Sequence, residues 1–105
     1  MAKLTTMFNP PHPGRLVQEF MGDITVTEMA KHLKMTRANL SMILNGRTGI
    51  SVAVAIKLSE ALPNWPPSFW LLVQNDYDLW HASRIKRAKI RPIRPAAKKT
   101  DKIAA

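Results

Sequence analysis

The chain has no cysteine and no long apolar segment, and each absence excludes a class of protein. Without cysteine there is no disulfide, no thiolate metal site and no cysteine nucleophile. No apolar run approaches the roughly 20 residues that cross a membrane. The N-terminal stretch MAKLTTMFNPPHPG lacks the apolar core of a signal peptide. We therefore expect a cytoplasmic protein with no membrane partner.

Residues that could support catalysis are also sparse. The four glycines fall in no Gly-x-Gly-x-x-Gly or Walker pattern, which excludes the common phosphate-binding loops. His12, His32 and His81 are scattered, without the spacing of a metal site. Asp76 and Asp78 stand two residues apart in a predicted helix and so point in different directions, which does not suit a catalytic carboxylate pair. We predict no catalytic residue, no metal, no cofactor and no enzyme activity.

Acidic residues are few, and the charge is unevenly placed. The net charge of +9 comes from 16 basic and 7 acidic residues. Residues 1–83 hold seven basic and six acidic residues, whereas residues 84–105 hold nine basic residues and one acid. This asymmetry indicates a polyanionic partner, most often nucleic acid. The alternative is a tail that only aids solubility. The tail residues predicted to form a DNA-binding arm are Arg84, Lys86, Arg87, Lys89, Arg91 and Arg94.

Helix signals divide the rest of the chain. Residues 1–12 are rich in proline and predict an extended arm. Residues 13–83 carry five helical patterns separated by proline, glycine and capping residues, and no strand pattern competes with them. The predicted caps are Thr36, Ser51 and Thr25, the last of which forms a capping box with Glu28. The fourth pattern is apolar nearly all round, so we expect that helix to be central and buried. Residues 84–89 contain no helix breaker and allow the fifth helix to continue. We predict an all-α, five-helix domain over residues 13–83, with an extended basic tail over residues 84–105.

The short stretch that follows Thr36 has two different faces, and we call residues 37–45 the reader helix. Leu40, Ile43 and Leu44 fall on one side and form an apolar face. The other side has small and short hydrogen-bonding groups with almost no charge, whereas a merely solvated face is usually rich in Glu and Lys. Three residues separate this helix from the preceding one. That spacing matches a helix-turn-helix, in which the second helix enters the DNA major groove.

The side chains of the reader helix suit base recognition. Arg can pair with guanine and Asn with adenine, while Ala and Met can contact a thymine methyl group. The capped N-terminus presents amide hydrogens to a phosphate, and an arginine just beyond the helix is placed for a backbone contact. The alternative is a small surface helix in a bundle. The predicted contacts with double-stranded DNA are Thr36, Arg37, Ala38, Asn39, Ser41, Met42, Asn45 and Arg47.

The fifth helix, predicted over residues 67–83, carries more apolar surface than one face of a helix needs. The surplus indicates a second buried face and hence a partner chain. A homodimer would place two reader helices about 34 Å apart, one turn of DNA, and would recognise a pseudo-palindromic operator. The residues predicted to form the dimer interface are Trp70, Val73, Tyr77 and Trp80.

Several motifs resemble those of one family. VTEMAKHLKMTRANLSMILNGRTGIS is similar to the helix-turn-helix of the phage-repressor-like (XRE/Cro) family. HPGRLVQEF, NGRTGISVAVAIKLSEAL and PPSFWLLVQNDYDLW resemble motifs of its HigA antitoxin branch. The resemblance covers about residues 12–82 and leaves the tail outside. It implies a lambda-repressor-like fold. It also implies a dimeric antitoxin of a type II module that neutralises a RelE-like, mRNA-cleaving toxin and represses its own operon.

The chain departs from the family pattern at four positions. Lys34 replaces the usual glycine of the turn, where a left-handed conformation would cost a lysine roughly 1 kcal/mol, so a slightly different turn is expected. Arg15 replaces an acid, Pro66 replaces a Ser or Thr cap, and Val26 replaces a residue that is often a polar DNA contact. Two other interpretations stay open: a stand-alone XRE-type repressor without a toxin, and a basic RNA-binding protein whose tail supplies the affinity.

Overall fold

A computed structural model of the chain describes residues 9–94, and these residues form five α-helices without a strand. The predicted all-α, five-helix fold is therefore confirmed. None of the helices within this span is long and apolar enough to cross a membrane. The rest of the predicted arm, residues 1–8, and the end of the predicted tail, residues 95–105, lie outside the described residues. The helices are α1 (Pro13–Met21), α2 (Val26–His32), α3 (Arg37–Leu44), α4 (Val52–Ala61) and α5 (Pro67–Ser83).

Side-chain caps begin the three middle helices where the sequence predicts them. Before α2, the Thr25 hydroxyl accepts from the amide of Glu28 at 3.1 Å, and the Glu28 carboxylate accepts from the amide of Thr25 at 3.1 Å. Before α3, the Thr36 hydroxyl accepts from the amide of Asn39 at 3.0 Å. The Ser51 hydroxyl does the same for α4, three residues on, at 3.2 Å. Each cap satisfies an amide that has no partner within its helix, and is worth about 1 kcal/mol.

The fifth helix begins without such a cap, because Pro66 occupies the cap position. Aromatic packing lies at this end of the helix instead. The rings of Phe20 and Trp65 stack with centroids 4.0 Å apart, and Phe20 meets Trp70 edge to face at 5.9 Å. Pairs of this kind contribute about 0.5–1.5 kcal/mol beyond the area they bury. They fasten the end of α1 to the start of α5.

The core takes one face from each helix. Trp70 of α5 is its largest fully buried side chain, with 0% of its surface exposed. Around it α4 packs against α5, and α3 packs against α1 and α2. The start of α1 lies very close to α3, because a Cβ on Gly14 would overlap the carbonyl oxygen of Ile43. The buried apolar side chains are Val17, Met21, Met29, Ala30, Leu33, Leu40, Ile43, Leu44, Ile50, Ala55, Leu58 and Trp70.

The turn between α2 and α3 keeps the left-handed conformation, although a lysine occupies it. Lys34 has φ +58°, and the next amide, that of Met35, reaches back to the Ala30 carbonyl at 3.0 Å. The ammonium of Lys57, on α4, donates to the Lys34 carbonyl at 3.2 Å. The expectation that lysine would alter this turn is therefore wrong. The contacts on both sides of Lys34 outweigh its preference for another conformation.

Helix α4 is less buried than its composition predicts. Ala55 and Leu58 are buried, but Val52 is 61% exposed and Ile56 is 45% exposed. The prediction of a central, buried helix is wrong, because α4 lies at the side of the bundle and presents only one face to α5.

Helix α5 ends at Ser83, with Arg84 as its C-terminal cap residue. It does not continue through residues 84–89, although no helix breaker stands there. Residues 86–92 have no regular secondary structure, and all side chains from Arg84 to Arg94 are exposed. Without neighbours to pack against, a short extension gains too little from local bonds to stay helical.

Candidate nucleic-acid interface

The burial pattern of α3 separates a core face from an exposed face. Leu40, Ile43 and Leu44 are buried, as the predicted register requires. The predicted DNA-contacting side chains project on the other side, and they are short, polar or apolar, with one charge at the start of the helix. Arg37, Ala38, Asn39, Met42 and Asn45 are exposed, and Ser41 is half-buried.

The N-terminus of α3 is electrostatically suited to a phosphate. Thr36 caps it, and no acidic residue occurs in its first turn. The partial positive charge of the helix end is therefore not neutralised by a side chain of its own helix. Arg37, the first helical residue, adds a full positive charge at the same end.

Two predicted contact residues interact with one another. The side-chain amide of Asn45 donates to the Ser41 hydroxyl at 3.2 Å. The two residues lie one helical turn apart, and the bond between them orients the Asn45 amide before any DNA is bound. The i, i+4 spacing of a hydroxyl and an amide was the available sequence signal for this pair.

The loop after α3 turns back over the end of the helix. Gly46 has φ +73°, a conformation that favours glycine. The amides of Arg47 and Thr48 both point to the Met42 carbonyl, at 2.8 and 3.3 Å. These bonds hold Arg47 just beyond α3, with its side chain exposed.

His12 begins α1 and also lies against this loop. Its Nδ1 accepts from the amide of Gly14 at 2.9 Å, so the imidazole acts as the cap of α1. Burial lowers the pKa of His12 below its ordinary value of 6.5, although a hydrogen bond with the Thr48 backbone and the charge of Asp78 both act to raise it. Desolvation has the larger effect, so the neutral ring that can accept the capping bond is favoured.

Helix α5 does not place all four predicted interface residues at the surface. Trp70 is fully buried in the core, so its assignment to a dimer interface is wrong. Val73 and Trp80 are half-buried, and the ring of Tyr77 packs edge to face on His12 at 4.8 Å. The exposed apolar surface of α5 comes instead from Leu72 and Leu79, at 59% and 60% exposure. Their seven-residue spacing puts both on one side of the helix.

The basic side chains of the tail are exposed to solvent over residues 84–94. Its basic side chains alternate with three exposed isoleucines, of which Ile93 is 99% exposed. At the root of the tail the Arg84 guanidinium carbon lies 3.8 Å from the centroid of the Trp80 ring, which is a cation–π contact. The six predicted arm residues, Arg84, Lys86, Arg87, Lys89, Arg91 and Arg94, are all exposed.

The capped helix pair, its short turn and the exposed α3 define a helix-turn-helix DNA-binding protein. The helix-turn-helix family model HTH_3 matches residues 21–64. The chain is 39% identical over 95 residues to virulence-associated protein A of Dichelobacter nodosus, covering 87% of this chain and 92% of that protein. It is 52% identical over 75 residues to virulence-associated protein A' of the same bacterium. That match covers 70% of this chain and 65% of the relative, just under two thirds of its length.

Solved structures give the same assignment. The Pseudomonas aeruginosa antitoxin HigA, solved with the higBA promoter, superposes with a TM-score of 0.65 at 32% identity, over 70% of this chain and 82% of that one. The chain belongs to the XRE-type helix-turn-helix family, and its structural neighbours are HigA-family antitoxins. This family comprises DNA-binding regulators and antitoxins rather than enzymes.

Proposed function

We propose that this protein is the antitoxin of a type II toxin–antitoxin module, and that residues 13–83 bind operator DNA as a homodimer to repress its own operon. The observation that carries the proposal is the exposed face of α3, which combines short polar groups with a capped, acid-free N-terminus. The similarity to an antitoxin solved with its promoter supports an operator as the DNA target. A pseudo-palindrome is expected, because a symmetric dimer presents two copies of α3.

The exposed residues of α3 divide by chemistry into base readers and backbone contacts. Arg37 can donate two bonds to guanine, and Asn39 can pair with adenine. Ala38 and Met42 offer apolar contact to thymine methyl groups, and Arg47 reaches a phosphate. The Ser41–Asn45 pair, already joined, contributes a rigid polar group at the C-terminal end of the helix.

Dimerisation through α5 is supported by its exposed apolar stripe. Leu72 and Leu79 share one side of the helix, and the half-buried Val73 and Trp80 flank them. Burying these side chains between two copies would remove from water the apolar surface that the monomer leaves open.

The basic arm supplies affinity without sequence preference. Arg84 to Arg94 is exposed, carries six positive charges and no acid, and has no regular structure beyond residue 85. An extended arginine-rich segment of this kind suits the DNA backbone or the minor groove.

Binding of operator and random DNA by single variants tests the proposal. Arg37→Ala and Asn39→Ala should each cost about 1–3 kcal/mol on operator DNA and much less on random DNA. Arg47→Ala is the matched control, because it removes the same charge but should weaken both DNAs alike. An unchanged ratio of operator to random affinity in Arg37→Ala would show that α3 does not read bases in this register.

The toxin part of the proposal has its own test. The expected partner is a RelE-like, mRNA-cleaving toxin encoded beside this gene, and co-expression of this chain should relieve the growth arrest that the toxin causes. If no neighbouring frame arrests growth but operator binding holds, the protein is a stand-alone XRE-type repressor. Binding to RNA in preference to the operator would favour the RNA-binding alternative.

A further inference from the structure

Four linked side chains support the loop Gly46–Ile50, and we call them the loop floor: His12 and Gln74, which contact the loop, Tyr77, which packs on His12, and Asp78, which bonds to Gln74. The loop carries the exposed Arg47 and leads into the first turn of α4. Three of the four side chains belong to α5, so a helix that is distant in sequence supports the loop.

Gln74 holds the second half of the loop. Its Oε1 accepts from the amide of Ile50 at 2.7 Å, in a buried position, and its Nε2 donates to Oδ1 of Asp78 at 2.9 Å. The backbone of Gly49 lies directly on the side-chain amide, because a Cβ there would come within 3.0–3.1 Å of its atoms. Gln74 is therefore bonded at both ends of its amide and in close contact with the loop.

His12 supports the first half. A Cβ on Gly46 would lie 3.7 Å from the imidazole, so this part of the loop is in van der Waals contact with the ring. Tyr77 packs on the ring from the side of α5. The loop thus rests on His12 at one end and on Gln74 at the other.

We infer that Gln74 is a positioning residue of the DNA interface. Through its bonds to Ile50 and Asp78, it holds the loop in the position from which the Arg47 side chain contacts a phosphate. A buried amide must have an acceptor, and at Ile50 the acceptor is the Gln74 side chain. If that acceptor is lost, the loop must move until the amide meets water. This inference rests on the proposed phosphate contact of Arg47.

Gln74→Met tests the inference, because methionine keeps the length and packing of glutamine without its acceptor. Affinity for operator and random DNA should both fall roughly tenfold, which corresponds to one or two lost contacts per dimer. The slope of log affinity against log salt should fall by about 0.9 for each phosphate lost, or about 2 for a dimer. Arg47→Ala should give the same change in slope, and the double variant should add nothing to it. A purely structural Gln74 would lower the melting temperature but leave the slope of the folded protein unchanged, which would overturn the inference.

A charge-neutral exchange gives a second test that does not depend on removing the acceptor. Gln74→Glu keeps an oxygen for the Ile50 amide but places a second carboxylate, at position 74, against that of Asp78. Adding Asp78→Asn supplies a donor again and reverses the direction of the bond between the two side chains. The slope of log affinity against log salt should be smaller in the single variant than in the wild type, and the double variant should restore it.

The two proposals fail in different ways. If Gln74→Glu with Asp78→Asn shows no recovery, or if only Arg47→Ala changes the slope, the positioning role is wrong and the proposed function stands. If the wild-type protein shows no preference for operator DNA, the proposed function itself is wrong.

Discussion

The turn between α2 and α3 stores a backbone strain whose size can be measured. At φ +58°, Lys34 occupies the left-handed region, which costs a residue with a Cβ about 1 kcal/mol and costs glycine almost nothing. Lys57 bonds to the Lys34 carbonyl, which a glycine would retain. Lys34→Gly should therefore increase the free energy of unfolding. The flexibility of glycine in the unfolded chain offsets part of the gain and leaves roughly 0.5–1 kcal/mol. For a domain of this size that is a rise in melting temperature of roughly 2–8 °C.

Thermal unfolding followed by circular dichroism, at one protein concentration, measures this change. Lys34→Ala is the matched control, since it removes the same distal side-chain atoms but keeps the Cβ and its strain. Gly22→Ala tests the same principle in reverse. Gly22 has φ +59° and ψ −121°, and an added Cβ would meet nothing within 4 Å, so the expected loss of about 1–3 kcal/mol would come from backbone conformation and not from a steric clash. The reasoning is refuted if Lys34→Gly is no more stable than Lys34→Ala.

Three further predictions concern pH, the tail and the dimer. Because burial lowers the pKa of His12, the unfolded chain binds a proton at this residue more readily than the folded chain, and the protein loses stability as pH falls below about 6.5. His12→Asn, which keeps a capping acceptor, should therefore make the melting temperature depend less on pH between pH 7 and 5. An unaltered pH dependence would contradict this. Deleting residues 84–105 should lower the salt slope of a dimer by roughly 4–7 if two to four bases per chain contact phosphates, whereas parallel lines would leave the tail a solubilising role. Leu79→Lys should shift sedimentation at micromolar concentration from twice 11.8 kDa towards the monomer, whereas Ile93→Lys in the exposed tail should not; a dimer that survives Leu79→Lys lies on another surface.

Features set by neighbours in the sequence were the ones that the sequence predicted well. The capping box of Thr25 and Glu28 and the cap at Thr36 each depend on residues three apart, and the structure shows both. The register of α3 follows from the spacing of Leu40, Ile43 and Leu44 in the same way. A local pattern decides these features because helix geometry alone determines which residues meet.

Features set by contacts between helices were harder to predict. Composition indicated that Trp70 was surplus apolar surface, but its ring fills the centre of the core. Composition also indicated a buried α4, which the structure does not show. A count of apolar residues does not tell how many neighbouring helices are available to cover them. Lys34 shows the opposite case, in which contacts with α4 keep a turn that the residue itself disfavours.

Residue type alone does not show which residues of α5 face the core and which are exposed. Trp70, Gln74 and Tyr77 recur at intervals of four and three, so they share the side of the helix that faces the core and the loop. Leu72 and Leu79 recur on another side, which is exposed. Trp70 therefore contributes to the core and Tyr77 to the loop floor, while the two leucines provide exposed apolar surface. Substitutions on the inner side should change DNA affinity through the loop even when the dimer is intact. Substitutions on the outer side should change it only through the dimer, and the concentration dependence of binding separates the two effects.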